Sequence, residues 1–293
     1  MIGALLGYLL WGLSKRHRKL CRQNLALYNT FVSAHNSYLP DYLKSALKPS
    51  AIIAEQGKGI SELAIAWTLP VEKLAALVKN CQGWKHVVAA KSAKRPIIFV
   101  TPHLGCFDIA GHYLGSRIPL LALFRAPKQK WLEPIMQAGR LRGDVTTASA
   151  DAGGVRALLK TLKSGGNIII LPDQVPSVGE GVWADFFHHP AYTMTLLPRL
   201  AVSTNAAVLF FFAERLPKGG GYHMHIEAMA EPFSTDKNIA ARQMNALVEA
   251  LICKAPTQYW WGYNRYKHPA GAPLPPPARE KTRKNIEHSD DKK

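Results

Sequence analysis

The chain has 293 residues, 47% of them apolar and 19% charged, and its 37 Lys plus Arg against 20 Asp plus Glu give a formal net charge of +17. That apolar fraction excludes a disordered polycation, and the length excludes a small stapled domain. No apolar run reaches the roughly 20 residues of a spanning helix, which excludes a multi-span transporter and leaves a globular protein whose basic surface suits nucleic acid, anionic lipid, phosphorylated ligands or an acidic carrier protein.

Residues 2–14 carry no charge, and Lys15, Arg16, Arg18, Lys19 and Arg22 follow at once. A secretory signal has the opposite order, with its positive charge ahead of the apolar core. The run is too short to span as a straight helix. It predicts a membrane-associated segment over residues 1–22, with the basic flank holding the following chain on the cytoplasmic side. The competing reading is a buried amino-terminal helix of a soluble fold. Residues 15–90 have helical periodicity, and Pro70 separates SELAIAWTLP from a second helix read through VEKLAALVKN. From residue 96 the texture changes to short β-rich runs at 96–101, 119–124, 167–171 and 206–213. A helix at 154–163 lies among them, stopped by Ser164, Gly165 and Gly166. This alternation predicts an α/β sheet with helices packed on it. Gly219 to Gly221 reads as a hairpin turn, 222–228 as a half-buried strand near a sheet edge, and 236–254 as a last amphipathic helix. The main domain is therefore expected over 23–268, and the Pro-rich, charged stretch 269–293 as a disordered tail.

Chemistry concentrates in Thr101-Pro-His103-Leu-Gly105-Cys-Phe-Asp108, which follows the buried run IIFV and opens a helix. Reactive groups on α/β sheets sit at the carboxyl ends of strands. With His103 in the loop and Asp108 in the first helical turn, Gly105 can let the chain fold back so that Asp108 bonds one ring nitrogen. The other nitrogen is then free to take a proton from a substrate hydroxyl. On spacing alone, a helix-capping Asp108 and a turn-filling His103 fit at least as well. Other clusters read as structural. His223, His225 and Glu227 share the polar face of an alternating strand, and Asp185, His188 and His189 lack a completing ligand, so no metal is expected. Cys106 is a weak candidate nucleophile. Cys21, Cys81, Cys106 and Cys253 are widely spaced, without a CxxC pair, and read as free thiols. The aromatic residues 259–266 suit packing or a membrane face as well as base stacking.

The His103-x4-Asp108 pattern resembles the HX4D motif of the lysophospholipid and glycerolipid acyltransferase superfamily. Leu171-Pro-Asp173-Gln174, Gly181-Val-Trp-Ala-Asp-Phe-Phe187, Thr193-Met-Thr-Leu-Leu-Pro-Arg199 and the Pro256-Thr-Gln-Tyr-Trp-Trp segment resemble its lipid A biosynthesis branch, of lauroyl and myristoyl type. The resemblance implies a central mixed sheet flanked by helices, with a helical amino-terminal membrane-associated segment. It implies transfer of a fatty acyl group from acyl carrier protein to a hydroxyl of a lipid A precursor, in lipopolysaccharide or lipooligosaccharide synthesis, at the cytoplasmic face of the inner membrane. No cofactor and no nucleic-acid partner are expected; the partners are the carrier protein, the lipid precursor and the anionic membrane surface. His103 would be the general base and Asp108 its orienting acid. Arg125 and Arg142 would bind phosphate or oxyanion, and Asp173 and Gln174 would shape the site. The sequence departs from the family's usual Asp-Gln-Asp block, since Val175 replaces the last acid, and its apolar amino-terminal run is short. Two alternatives stand beside this reading: an acyltransferase for a lysophospholipid or another glycolipid, and a non-catalytic basic protein that binds membranes or nucleic acid.

Overall fold

The computed structural model describes residues 2–34, 46–125, 127 and 129–276. The amino-terminal run forms α1 (Ile2–Leu13), and the basic stretch continues as α2 (Lys15–Ala34). Then come α3 (Pro49–Thr68), α4 (Val71–Leu77), β1 (Val78–Gln82), α5 (Trp84–Ser92), β2 (Ile97–Val100), α6 (Phe107–Gly115), β3 (Leu120–Phe124), α7 (Glu133–Arg140), β4 (Val145–Ser149), α8 (Ala152–Lys163) and β5 (Asn167–Ile170). There follow β6 (Gly181–Phe186), β7 (His189–Met194), α9 (Leu196–Thr204), β8 (Ala207–Arg215), β9 (Tyr222–Ala228) and α10 (Lys237–Lys254).

Seven strands form one mixed sheet in the order β1-β9-β8-β2-β5-β3-β4, and β6 and β7 form a separate two-stranded ribbon. Every pairing in the large sheet is parallel except β8 with β9, which the Gly219–Gly221 turn joins as an antiparallel hairpin. The expected α/β class, with a central mixed sheet flanked by helices, is the observed one. The central strands β2, β5 and β8 are apolar over residues 97–100, 168–170 and 207–213 because both faces of the sheet are covered there. Strand alternation sends Ile98, Val100, Ile168 and Ile170 into one core and Ile97, Phe99, Ile169 and Phe211 into the other. Trimming any of them to Ala costs on the order of 2–5 kcal/mol.

Several expected elements differ in detail. The helix read through residue 80 ends at Leu77, and Val78–Gln82 leaves it as β1, pairing parallel with β9. A lone apolar-polar run of five residues carries no sign of its distant partner. As a result β9 lies one strand in from the edge, with alternating burial along its length. The helices predicted at 154–163 and 236–254 start at Ala152 and Lys237, where Asp151 and Asp236 accept hydrogen bonds from first-turn N–H groups. Of the expected tail, residues 269–276 are described. Ala272 packs against Val175 and Tyr192, and the Pro273 carbonyl accepts from Trp183. Residues 277–293 lie outside the described residues.

At the amino terminus, α1 lies directly against α3. A Cβ at Gly7 would fall 2.0 Å from the Ile53 carbonyl oxygen, and one at Gly57 2.0 Å from the Gly7 nitrogen, so only glycine allows this backbone contact. The opposite face of α1 is open, with Leu5 60% and Leu13 83% exposed. No helix among the described residues is long and apolar enough to cross a membrane.

Candidate active site

Strands β2, β5, β3 and β4 run parallel, so their carboxyl ends open on one edge of the sheet. Val100 is in register with Ile170. Three residues beyond each of these lie His103 and Asp173, which therefore meet. The His103 Nδ1 lies 2.8 Å from Asp173 Oδ1, and the His103 backbone N–H donates to Asp173 Oδ2 at 2.8 Å. One carboxylate thus fixes both the ring and the main chain of His103. With Nδ1 so engaged, Nε2 is left facing the cavity, 3.3 Å from the Gln174 side-chain nitrogen. Burial of Asp173 disfavours its charge, but His103 and its hydrogen bonds more than offset this and hold the carboxyl below the usual range, with Arg265 adding to the effect.

The expected contact between His103 and Asp108 is replaced by this one. After β2 the chain does not fold back. It runs alongside β8 and the carboxy-terminal segment, with Cys106 N–H donating to the Ala213 carbonyl, Gly105 N–H to Gln258 and Trp260 N–H to His103. Gly105 has φ +59°, and a Cβ there would lie 2.0 Å from the Ala213 oxygen. In this course it is the ring of Phe107 that lies edge-on to His103, at 4.9 Å. Asp108 points the other way, toward α3 and α7. It accepts from Arg140 Nε at 2.8 Å, from the same guanidinium at 3.3 Å and from Trp67 Nε1 at 3.2 Å.

Arg142, expected to bind phosphate or oxyanion, is engaged elsewhere. Its guanidinium donates to the carbonyls of Ala66 and Leu69, closing the carboxyl end of α3. Two residues earlier, at the end of α7, Arg140 enters the site instead. Sequence reading missed it because both arginines sit in Gly139-Arg-Leu-Arg-Gly143, and only the end of the helix decides which one turns inward. Arg125, expected to bind phosphate or oxyanion, is exposed at the carboxyl end of β3 and lines the cavity.

These groups border a cavity of about 230 Å³. Its polar wall carries His103, Asp108, Arg125, Arg140 and Gln174, and its apolar wall includes Leu123, Met136, Val145, Ile169 and Met194. A positioned base, a fixed cation and an apolar recess suit a reaction between a hydroxyl and an acyl compound. A family model of bacterial lipid A biosynthesis acyltransferases matches residues 2–268. The chain belongs to that family. The palmitoleoyltransferase of lipid A biosynthesis from Escherichia coli K12 is 26% identical over 91% of this chain and 84% of its own length. The lauroyltransferase of that organism is 26% identical over 93% and 86%, and its myristoyltransferase 24% identical over 85% and 74%. Among solved structures, the 1-acyl-sn-glycerophosphate acyltransferase PlsC of Thermotoga maritima aligns over 86% of this chain and 92% of its own, with 14% identity and a TM-score of 0.36.

This lipid A acyltransferase therefore transfers an acyl group in lipid A biosynthesis, and family membership implies a lipid A precursor as acceptor. Its other motif segments have structural work around the site. The Pro256-Thr-Gln-Tyr segment is a strap: the Gln258 carbonyl and Trp260 N–H hold the His103 loop, while Gln56 donates to the Tyr259 carbonyl. Arg265 is buried behind it, donating to Tyr192 and Thr193 of β7. Val175, where the resemblance leads one to expect an acid, is buried against Tyr192 and Ala272, and its N–H donates to the Tyr263 hydroxyl. Cys106 is buried, and that burial pushes its thiol pKa well up, so the reactive thiolate is disfavoured. His225 pairs with Glu214 at 2.8 Å and stacks against His223 and Phe212. All four cysteines are unpaired.

Proposed function

We propose that this acyltransferase moves a fatty acyl group from the thioester of acyl carrier protein to a hydroxyl of a lipid A precursor, with His103 Nε2 as general base. The observation that carries this reading is the clamp of Asp173 on His103. It fixes the ring with Nδ1 on the carboxylate and Nε2 beside the Gln174 amide, at a cavity that is polar on one side and apolar on the other. His103 takes the proton of the acceptor hydroxyl as its oxygen attacks the thioester carbon. The imidazolium that forms is stabilised by Asp173. The tetrahedral intermediate bears an oxyanion, and on its collapse the thiol leaves with the proton returned by His103. Arg140, held beside the cavity by Asp108, supplies positive charge for the oxyanion. Asp108 thus acts through Arg140 and not on the base. The apolar wall receives the acyl chain.

The reaction is assigned to the cytoplasmic face of the inner membrane, with the enzyme lying on that surface. Three observations support the membrane contact. The outer face of α1 exposes Ile2, Leu5, Leu9 and Leu13, and the basic start of α2 follows it directly. Trp131 (70% exposed), in the short turn that leads into α7, and Ile135, in its first turn, lie next to Met136 and Arg140, which line the cavity. Helices α1 and α7 both pack on α3. Each leucine inserted in lipid adds on the order of 1.5–3 kcal/mol, and basic residues beside anionic lipid add to it.

Purified enzyme supplied with acyl carrier protein thioester tests the reading. Thioester consumption that depends on a lipid A precursor supports it. Consumption only with a lysophospholipid moves the acceptor, and no consumption with any lipid sinks it.

A further inference from the structure

A second cavity, of about 220 Å³, adjoins the first and shares Leu123, Arg125, Ala150, Pro176 and Met194 with it. It lies beyond the carboxyl ends of β3 and β4, between the amino-terminal ends of α8 and α9, and Arg199 lines it from α9. Both guanidiniums in its wall, Arg125 and Arg199, are exposed and have no hydrogen-bonding or ionic protein partner among the described residues. Two carboxylates also border it, and both are engaged with backbone N–H groups. Asp151 accepts from Gly154 at 2.9 Å, capping α8, and Glu180 accepts from Ser177 at 3.2 Å. The amino terminus of α8 is capped by the Asp151 carboxylate, whereas that of α9 has no acidic residue and no side-chain cap, so its dipole adds positive potential at this cavity.

We propose that this second cavity is a subsite for a phosphate ester of a substrate, bound by Arg125 and Arg199. Arginine forks match phosphate oxygens two at a time, and here two forks face one space with no carboxylate paired to either. The cavity's connection to the first, through Arg125, lets one substrate hold its phosphate here while its reacting group reaches His103. Asp151 and Glu180 retain oxygen lone pairs that suit the hydroxyls of a sugar carrying the phosphate. The proposal rests on the acyl-transfer reading and adds Arg199 to it as a specificity residue. Two substrates of that reaction carry a phosphate ester: the glycolipid acceptor, and the donor through its phosphopantetheine arm.

The test is equilibrium binding, which needs no turnover. Isothermal titration of the full chain compares a short-chain phosphorylated glucosamine lipid, the same compound without phosphate, and 4′-phosphopantetheine. Wild-type enzyme is expected to prefer one of the phosphorylated probes by at least about tenfold over the unphosphorylated glucosamine lipid, a preference that weakens with salt. Arg199→Ala removes that preference and Arg199→Lys keeps part of it. Affinity for the unphosphorylated compound is unchanged throughout. Loss on the glucosamine phosphate identifies the acceptor as the source; loss on phosphopantetheine identifies the donor. In turnover, Arg199→Ala raises KM for that substrate and leaves kcat nearly unchanged. Arg199 is exposed, so the variant is expected to fold, and its thermal unfolding confirms this. Probe affinities that Arg199→Ala and Arg125→Ala leave at wild-type values overturn the proposal. His103→Ala separates the two claims, because it removes turnover and leaves the phosphate preference intact. If wild-type enzyme turns over no lipid A precursor yet keeps an Arg199-dependent phosphate preference, the acyl-transfer reading fails and the subsite stands.

Discussion

Asp173 holds His103 at two points, its ring nitrogen and its backbone N–H, both at 2.8 Å. The pairing follows from the register of β2 and β5, which places both residues three positions past a matched pair of strand residues. A carboxylate so placed sets which ring nitrogen is free and steadies the charge the ring acquires. Asp173→Asn is expected to lower kcat by about 10²–10⁴-fold with little change in KM, because the amide can hold the wrong tautomer. Steady-state kinetics with the carrier-protein thioester check it. A kcat within threefold of wild type would remove Asp173 from the mechanism.

Asp108 has a different task and a different signature. It is buried and bonded to Arg140 and Trp67. Asp108→Ala leaves a partly buried guanidinium unpaired and is expected to cost about 2 kcal/mol of stability. The Asp108→Ala, Arg140→Ala double variant should then be less destabilised than the sum of the two single variants, since removing both partners leaves no unpaired charge. Denaturant unfolding of the four proteins measures this coupling. Additive losses would mean that the ion pair is energetically idle.

The site was legible in the sequence to the extent that its determinants are local. His103 follows a fully apolar run and precedes a helix, a pattern contained in about a dozen residues. Asp173 was placed in the site, but its bond to His103 depends on β2 lying beside β5, across about 70 residues of chain, and no local pattern encodes that adjacency. The choice of Arg140 over Arg142 turns on where α7 ends, a boundary that periodicity does not fix. β1 was read as helix because its five residues acquire strand geometry only from β9. The apolar-to-basic transition at residue 14 is local, by contrast, and it marks the junction of α1 and α2.

Acid stability should report on the clamp. The folded pKa of Asp173 lies below its unfolded value of about 3.9. Its ionisation therefore stabilises the fold fully above that unfolded value, and the contribution is lost as pH falls through the lower, folded pKa. Denaturant unfolding of wild type and Asp173→Asn between pH 6 and pH 2 should show the wild-type advantage shrinking below about pH 4. An advantage independent of pH would assign the effect of the substitution to something other than this charge.

The open face of α1 should matter for lipid binding and not for folding. Leu5→Asp with Leu9→Asp is expected to weaken co-sedimentation with anionic phospholipid vesicles by at least about tenfold, since two apolar anchors are replaced by charges that the surface repels. Both positions are exposed, so thermal unfolding in detergent should shift little. Unchanged vesicle binding would take α1 out of the membrane contact.

The central claim, that His103 is the base for acyl transfer, is tested most directly by a single-turnover measurement. Excess wild-type or His103→Ala enzyme is mixed with labelled acyl carrier protein thioester and a lipid A precursor, and the acylated product is followed by mass spectrometry. The variant should form product at least about 10²–10⁴-fold more slowly, while its thermal unfolding stays close to that of wild type. Product formation at the wild-type rate by folded His103→Ala would contradict the account.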